Sequence, residues 1–287
     1  MKSKLTILVM LLLGTGALIA CSNNNDHLDD NSPGLPTAAA QAAFQAKYPS
    51  ASAVEWEAAG IFQEAEFNLG NTEYEAWFTK DGVWLQTDYS MPYADIPVAV
   101  RNVISDRLNY PSITWKPDDT ADALQRKNYP DWYAVHLEDG ESEIIVWSDA
   151  DGYSVYDVIA DYTGNEIPRA ITTFIAQTHP GSYVIELQQV ANGSFRANIL
   201  HASEAKVMFF DRTLGWLYTS WPVPLAEVPA VVTAVLNGAA YENFTVRSVS
   251  YQQYPSGDRY HFILQQKDSA GPDTTLNVDT KGNIILN

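Results

Sequence analysis

Asp95-Ile96-Pro97-Val98-Ala99-Val100-Arg101-Asn102-Val103-Ile104 sets out a pattern that the chain writes four times. An apolar residue and a proline open each copy: Leu35-Pro36, Ile96-Pro97, Ile167-Pro168 and Val228-Pro229. Proline fits the first turn of a helix, where its missing N–H has no partner to lose and its φ is already helical. Asp95, Glu166 and Glu227 precede three of the prolines and complement the positive end of a helix dipole. Counting on from each proline, the third residue is Ala39, Val100, Ile171 or Val232, and the seventh is Ala43, Ile104, Ile175 or Leu236. The sixth is Ala42, Val103, Phe174 or Val235. This is one apolar stripe at helical spacing, so each copy predicts a helix with one buried face.

Each helix is predicted to stop in the same way. Tyr48-Pro49, Tyr110-Pro111 and His179-Pro180 close the first three, because proline disfavours a helical residue before it. The fourth copy has Tyr241-Glu242 there. Alternating runs follow, and each set closes on a glycine turn: Asp81-Gly82, Asp151-Gly152, Leu214-Gly215 and Lys281-Gly282. A turn of this kind between two strand-like runs reads as a hairpin. Phe78, Trp147, Phe210 and Val278 stand four or five residues before the glycines. The prolines are 61, 71 and 61 residues apart. A polar insertion around Lys116 to Asn128 is expected to account for the longer interval. Four copies in one order mark a true internal repeat.

The expected fold class is therefore α+β. Each unit is predicted to be a helix packed on a four-stranded antiparallel sheet. Units 35–92 and 93–162 would form one domain, and units 163–224 and 225–287 a second, with the boundary at Tyr162-Thr163-Gly164-Asn165. In the first unit, Tyr74, Ala76 and Phe78 alternate with Glu75 and Trp77. The apolar face suits a helix, and the other is predicted to carry Trp77 and Trp84 among polar residues.

Residues 1–20 read as an export signal. Lys2 and Lys4 precede an apolar core from Leu5 to Leu13 that is short for a membrane span. Leu18-Ile19-Ala20-Cys21 resembles the bacterial lipobox, which implies cleavage before Cys21 and lipidation of that residue. Cys21 is the chain's one cysteine, so no intramolecular disulfide forms. Residues 21–34 would be a lipidated flexible tether. Its Asp26, Asp29 and Asp30 are similar to the acidic tract of surface-exported lipoproteins. The expected location is the cell envelope, as an outer-membrane lipoprotein that is surface-exposed or periplasmic. The net charge of −18 repels nucleic acid and anionic lipid, so the lipid would be the sole membrane attachment. A hydrophobic content of 46% excludes a disordered chain.

Helix-opening proline, Tyr-Pro stop and strands closing on Asp-Gly together resemble the PepSY-like, beta-lactamase-inhibitor-like (BLIP-like) lipoproteins. The resemblance covers nearly the whole chain after the leader, as four units. It implies tandem BLIP-like, PepSY-like repeats paired into two BLIP-like domains. It also suggests binding to another protein, with a peptidase or hydrolase as the class to be inhibited.

No motif for catalysis stands out. G-x-S-x-G and H-E-x-x-H do not occur, and a lipidated Cys21 cannot act as a thiol nucleophile. His27, His136, His179, His201 and His261 share no metal-ligand spacing, so neither metal nor cofactor is expected. Asp149-Ala150-Asp151-Gly152 is part of a calcium-loop pattern but is better explained as a hairpin turn. Paired acids such as Asp118-Asp119 and Glu138-Asp139 are expected by chance among 35 acids. The aromatic residues are more informative. Trp77, Trp84, Trp147 and Trp216 recur across the units and form the candidate binding surface, since Trp and Tyr bury much area at low entropic cost. The sequence thus predicts a non-enzymatic module binding an unidentified protein, with an accessory glycan-binding lipoprotein as the alternative.

Overall fold

The computed structural model describes residues 35–108, 114–140, 142–267 and 274–286. The expected export signal, Cys21 and tether lie outside these residues, as does the Tyr110-Pro111 stop. Helix α1 (Ala38–Lys47) is followed by β1 (Ser52–Ala59), β2 (Phe62–Leu69), β3 (Thr72–Phe78) and β4 (Trp84–Pro92). Helix α2 (Val98–Leu108) leads to β5 (Lys116–Pro117), β6 (Thr120–Arg126), β7 (Trp132–Glu138), β8 (Glu143–Asp149) and β9 (Val155–Tyr162). Helix α3 (Arg169–Thr178) leads to β10 (Tyr183–Val190), β11 (Phe195–His201), β12 (Glu204–Phe210) and β13 (Trp216–Pro222). Helix α4 (Ala230–Thr233) leads to β14 (Phe244–Gln253), β15 (Arg259–Gln266), β16 (Thr274–Asp279) and β17 (Ile284–Ile285).

The strands form one antiparallel sheet of 17 strands, joined between units by β4–β6, β9–β10 and β13–β14 pairing. The expected insertion at 116–128 is instead part of this sheet: β6 pairs along β4 from Gln86↔Arg126 to Pro92↔Thr120. Its small apolar residues Ala121 and Ala123 alternate with Asp122, a weak pattern that conceals a strand. The two-residue β5 pairs with the far end of β7, so the second unit begins with an interrupted strand. The first strands of the other units are broken too, by register shifts at Ser52/Glu55, Val184/Glu186 and Val246/Ser248.

Four helix-side cores line one face of the sheet. Val100 and Ile104 pack with Val135 and Val146, Ile171 and Ile175 with Ile199 and Phe210, and Val232 with Phe262 and Val278. In α1 the buried residues are Ala40 and Phe44, one position later than the stripe predicts. Thr37 explains the shift: its side chain, one residue past the proline, caps the helix by accepting from Ala40 N. The fourth helix is shorter than expected and runs into a 3-10 turn, Ala234–Asn237, closed by Gly238.

The closing hairpins touch the helices. A Cβ on Gly82 would lie 2.6 Å from Ala39 O, and one on Gly282 would lie 2.5 Å from Val231 O. Each turn is also held by a side chain: Thr79 Oγ1 accepts from Val83 N, Asp149 from Tyr153 N and Asp279 from Asn283 N. This accounts for Asp149 without a calcium ion.

The opposite, inner face of the sheet folds back on itself. Ala59, Phe62, Trp77 and Leu85 of the first unit pack against Leu200 and Ala205 of the third. Lys127 reaches across to Ser203 O (3.0 Å) and Glu204 (3.1 Å). Among the described residues no helix is long and apolar enough to cross a membrane.

Candidate functional site

The four tryptophans do not assemble into one exposed surface. Trp77 is 4% exposed and Trp147 8%, both on the inner face. Trp147 packs there with Leu124, Ala134, Ile145 and Val158. Trp84 and Trp216 lie on the other, helix-bearing face. The cause is a register shift in each closing hairpin, which sets Trp84 opposite Phe78 and Trp216 opposite Phe210. A shift of one residue moves a side chain to the other face, so simple alternation misplaces Trp84. Both indoles then settle alike: Trp84 Nε1 donates to Thr87 at 2.8 Å, and Trp216 Nε1 to Thr219 at 3.1 Å. Lys47 Nζ covers the Trp84 ring at 3.6 Å.

What the inner face of β1–β4 carries is carboxylates. Register sets Glu55 opposite Glu66 and Glu57 opposite Glu64 between β1 and β2. It sets Glu66 opposite Glu75 between β2 and β3, and Glu75 opposite Asp88 between β3 and β4. Directly opposed like charges are destabilising in a sheet, and here they occur four times on one face. Among the described residues no cation forms an ion pair with Glu55, Glu57, Glu64, Glu66, Glu73 or Glu75. Burial, reinforced by Glu66 and Glu57, pushes Glu64 up to about 7. Burial, with Glu64, Glu66 and Glu73 adding repulsion, pushes Glu75 up to about 8. Glu66 is raised by burial and by Glu57 and Glu73.

The face grades from open to enclosed. Glu55, Glu57 and Glu73 are exposed, whereas Asp88 is half-buried, and desolvation holds its carboxyl well above the usual range. Gln86 donates to Asp88 Oδ2 at 3.0 Å, but Oδ1 is sealed from solvent without a donor. A cavity of about 290 Å³ opens beside it, lined by Asn71, Thr72, Glu73, Glu75, Asp88 and Ser90. Beyond Asp88 stands Arg126, buried, whose Nε donates to Gln86 Oε1 at 2.9 Å. Its charge favours the ionised forms of both Asp88 and Glu186.

The sequence does signal this face, in glutamates at alternate positions: Glu55 and Glu57, Glu64 and Glu66, Glu73 and Glu75. Each is separated from its partner by a residue of the helix-side face, so the pattern is that of a two-faced strand. Reading the acids as surface background hides it.

His136 and His261 have structural surroundings. His136 Nδ1 lies 2.5 Å from Glu143 and Nε2 lies 3.3 Å from Asp122. Burial opposes its charge, but these bonds outweigh that and raise it to about 9. His261 Nδ1 is 2.8 Å from Asn277 Oδ1. Among the described residues no group of three or more His, Cys, Asp or Glu is placed to hold a metal ion.

A model of the beta-lactamase-inhibitor-like, PepSY-like family matches residues 62–151 and 198–286. The chain belongs to this family. Both matches begin in the second strand of a unit and end at the closing hairpin of the next, spanning most of the described chain. No curated protein matches the sequence. Similar solved structures include a BLIP-like protein from Bacteroides fragilis, 26% identical over 49% of this chain and 99% of that one, with a TM-score of 0.39. A DUF2874 family protein from Bacteroides uniformis is 19% identical over 47% and 98%, with a TM-score of 0.38. A Bacteroides eggerthii protein named as periplasmic is 16% identical over 44% and 91%, with a TM-score of 0.37.

Proposed function

We propose that this PepSY-like protein is a lipid-anchored envelope protein that acts as a non-catalytic binding module for another protein. Residues 35–162 and 163–287 are read as its two halves, each a pair of helix-on-sheet units. The leader and Cys21 supply the anchor, and the acidic tether favours the outer membrane. The observation that carries the reading is the inner face of β1–β4, where the register pairs Glu55–Glu66, Glu57–Glu64 and Glu66–Glu75 form no ion pair with a cation among the described residues. Such a face stores unfavourable electrostatics that a bound partner would relieve. Trp77 and Trp147 are buried, which weighs against a glycan platform built on those two residues. The family name carries beta-lactamase inhibition, so a secreted or envelope hydrolase is one partner class worth testing.

The test is capture from envelope extract with the unlipidated chain from Ser22 onward as bait, beside the Glu55→Gln/Glu57→Gln/Glu66→Gln variant. A stoichiometric partner held by the parent chain and lost by the variant supports the reading. A partner held equally by both, or none, overturns it.

A further inference from the structure

We infer that the occupant of the β1–β4 inner face is a lysine- or arginine-bearing segment of the partner, lying extended across the strands with one cationic side chain in the cavity beside Asp88. The inference rests on the protein-binding reading above and specifies its chemistry. Charge complementarity is the first argument. Glu55, Glu66, Glu75 and Asp88 follow one another in register across four adjacent strands. With strands about 4.8 Å apart, the row runs for roughly 14 Å. In an extended segment, side chains on one side recur about every 6.6 Å. Two or three cationic residues therefore span the row, and flexible lysine stems absorb the mismatch.

The second argument is independent of the charge count. A cavity of about 290 Å³, lined by Glu73, Glu75 and Asp88, opens at the end of the row. That volume lies at the lower end of ligand pockets and suits one side chain. An ammonium or guanidinium brings several donors and no acceptor, which suits a cavity lined by carboxylates. A nucleic-acid partner is excluded by like charge.

Binding a cation here has a linked signature. The charged and titratable groups that face the row are Glu55 and Glu57 of β1, Glu64 and Glu66 of β2, Glu73 and Glu75 of β3, and Asp88 of β4. Arg126 of β6 and Tyr183 and Glu186 of β10 complete the set. With Glu64 and Glu75 raised to about 7 and about 8, part of the row is protonated at neutral pH. An arriving cation favours the ionised forms, so association expels protons.

The experiment is isothermal titration calorimetry of the chain from Ser22 onward with an octapeptide alternating Lys and Ser. An octapeptide alternating Glu and Ser, and Mg²⁺ alone, are titrated alongside. The Lys peptide is expected to bind with proton release, read from buffers of different ionisation enthalpy, while the Glu peptide gives no heat. Affinity should fall about tenfold in Glu55→Gln/Glu66→Gln, as for the loss of two partly exposed ion pairs. Glu75→Gln should reduce the protons released. Neither variant threatens folding, since each removes like charge. Equal affinity in the variants, saturation by Mg²⁺ in place of peptide, or no binding overturns the inference. Should the peptide fail while the glutamine variant still loses a captured partner, the protein-binding reading stands and the cationic segment falls.

Discussion

The inner faces of the first and third units occupy equivalent places and solve the same electrostatic problem in opposite ways. Where β1 and β2 set Glu55 against Glu66 and Glu57 against Glu64, β10 and β11 set Glu186 against Asn198 and Gln188 against Arg196. Asn198 donates to Glu186 at 2.6 Å and Gln188 does so at 3.1 Å, while Arg196 lies 3.5 Å above the Tyr156 ring. One acid is thus surrounded by donors, and the face is spent on holding the halves together. In the first unit the corresponding residues are all acids, and among the described residues no cation forms an ion pair with them. The same backbone therefore supplies a structural surface in one unit and a surface of opposed acids in the other.

The contrast is sharpest at Arg126, the cation between the two faces. Arg126→Met leaves Asp88 and Glu186 buried without it and should cost about 3 kcal/mol, read as a lower urea midpoint. A variant as stable as the parent would mean that the acids already share protons without Arg126. The hairpins provide the next test. Gly82 has φ +81° and its Cβ would meet Ala39 O at 2.6 Å, whereas a Cβ on Gly215 would meet only the Asp211 side chain. Gly82→Ala should cost about 2 kcal/mol and Gly215→Ala less than about 1, by thermal denaturation.

The smallest effect concerns pH. Glu75 ionises at about 8 folded against 4.5 unfolded, so the folded state loses stability as pH rises from 4.5 to 8. His136, raised from 6.5 to about 9, contributes stability that is full below 6.5 and fades through 9. Both act in one direction, and the urea midpoint should rise as pH falls from 9 to 7. Glu75→Gln should stabilise by about 1 kcal/mol at pH 8 and flatten this rise. A rise of equal steepness in the variant would place its origin outside the acidic face.

Much of this molecule is legible in the sequence, and the failures have identifiable causes. Proline, apolar stripe and glycine hairpin locate the helices and most strands, because each is a local steric or periodic signal. Strand β6 escapes because Ala121 and Ala123 carry too little apolar weight to mark it. Trp84 and Trp216 are misplaced because a register shift at the hairpin depends on the partner strand. The acidic face is written in alternating glutamates, but its meaning emerges only when the strands are set side by side.

By itself, then, the sequence determined the repeat and the two-faced strands, both carried by local and periodic signals. Only the tertiary structure decided which inner faces meet. The packing of Trp77 in one cluster with Leu200, and the charge of Arg126 acting on both Asp88 and Glu186, join residues distant in the chain. Whether a charge is solvated, paired or stranded depends on what folds over it, and no local pattern specifies that.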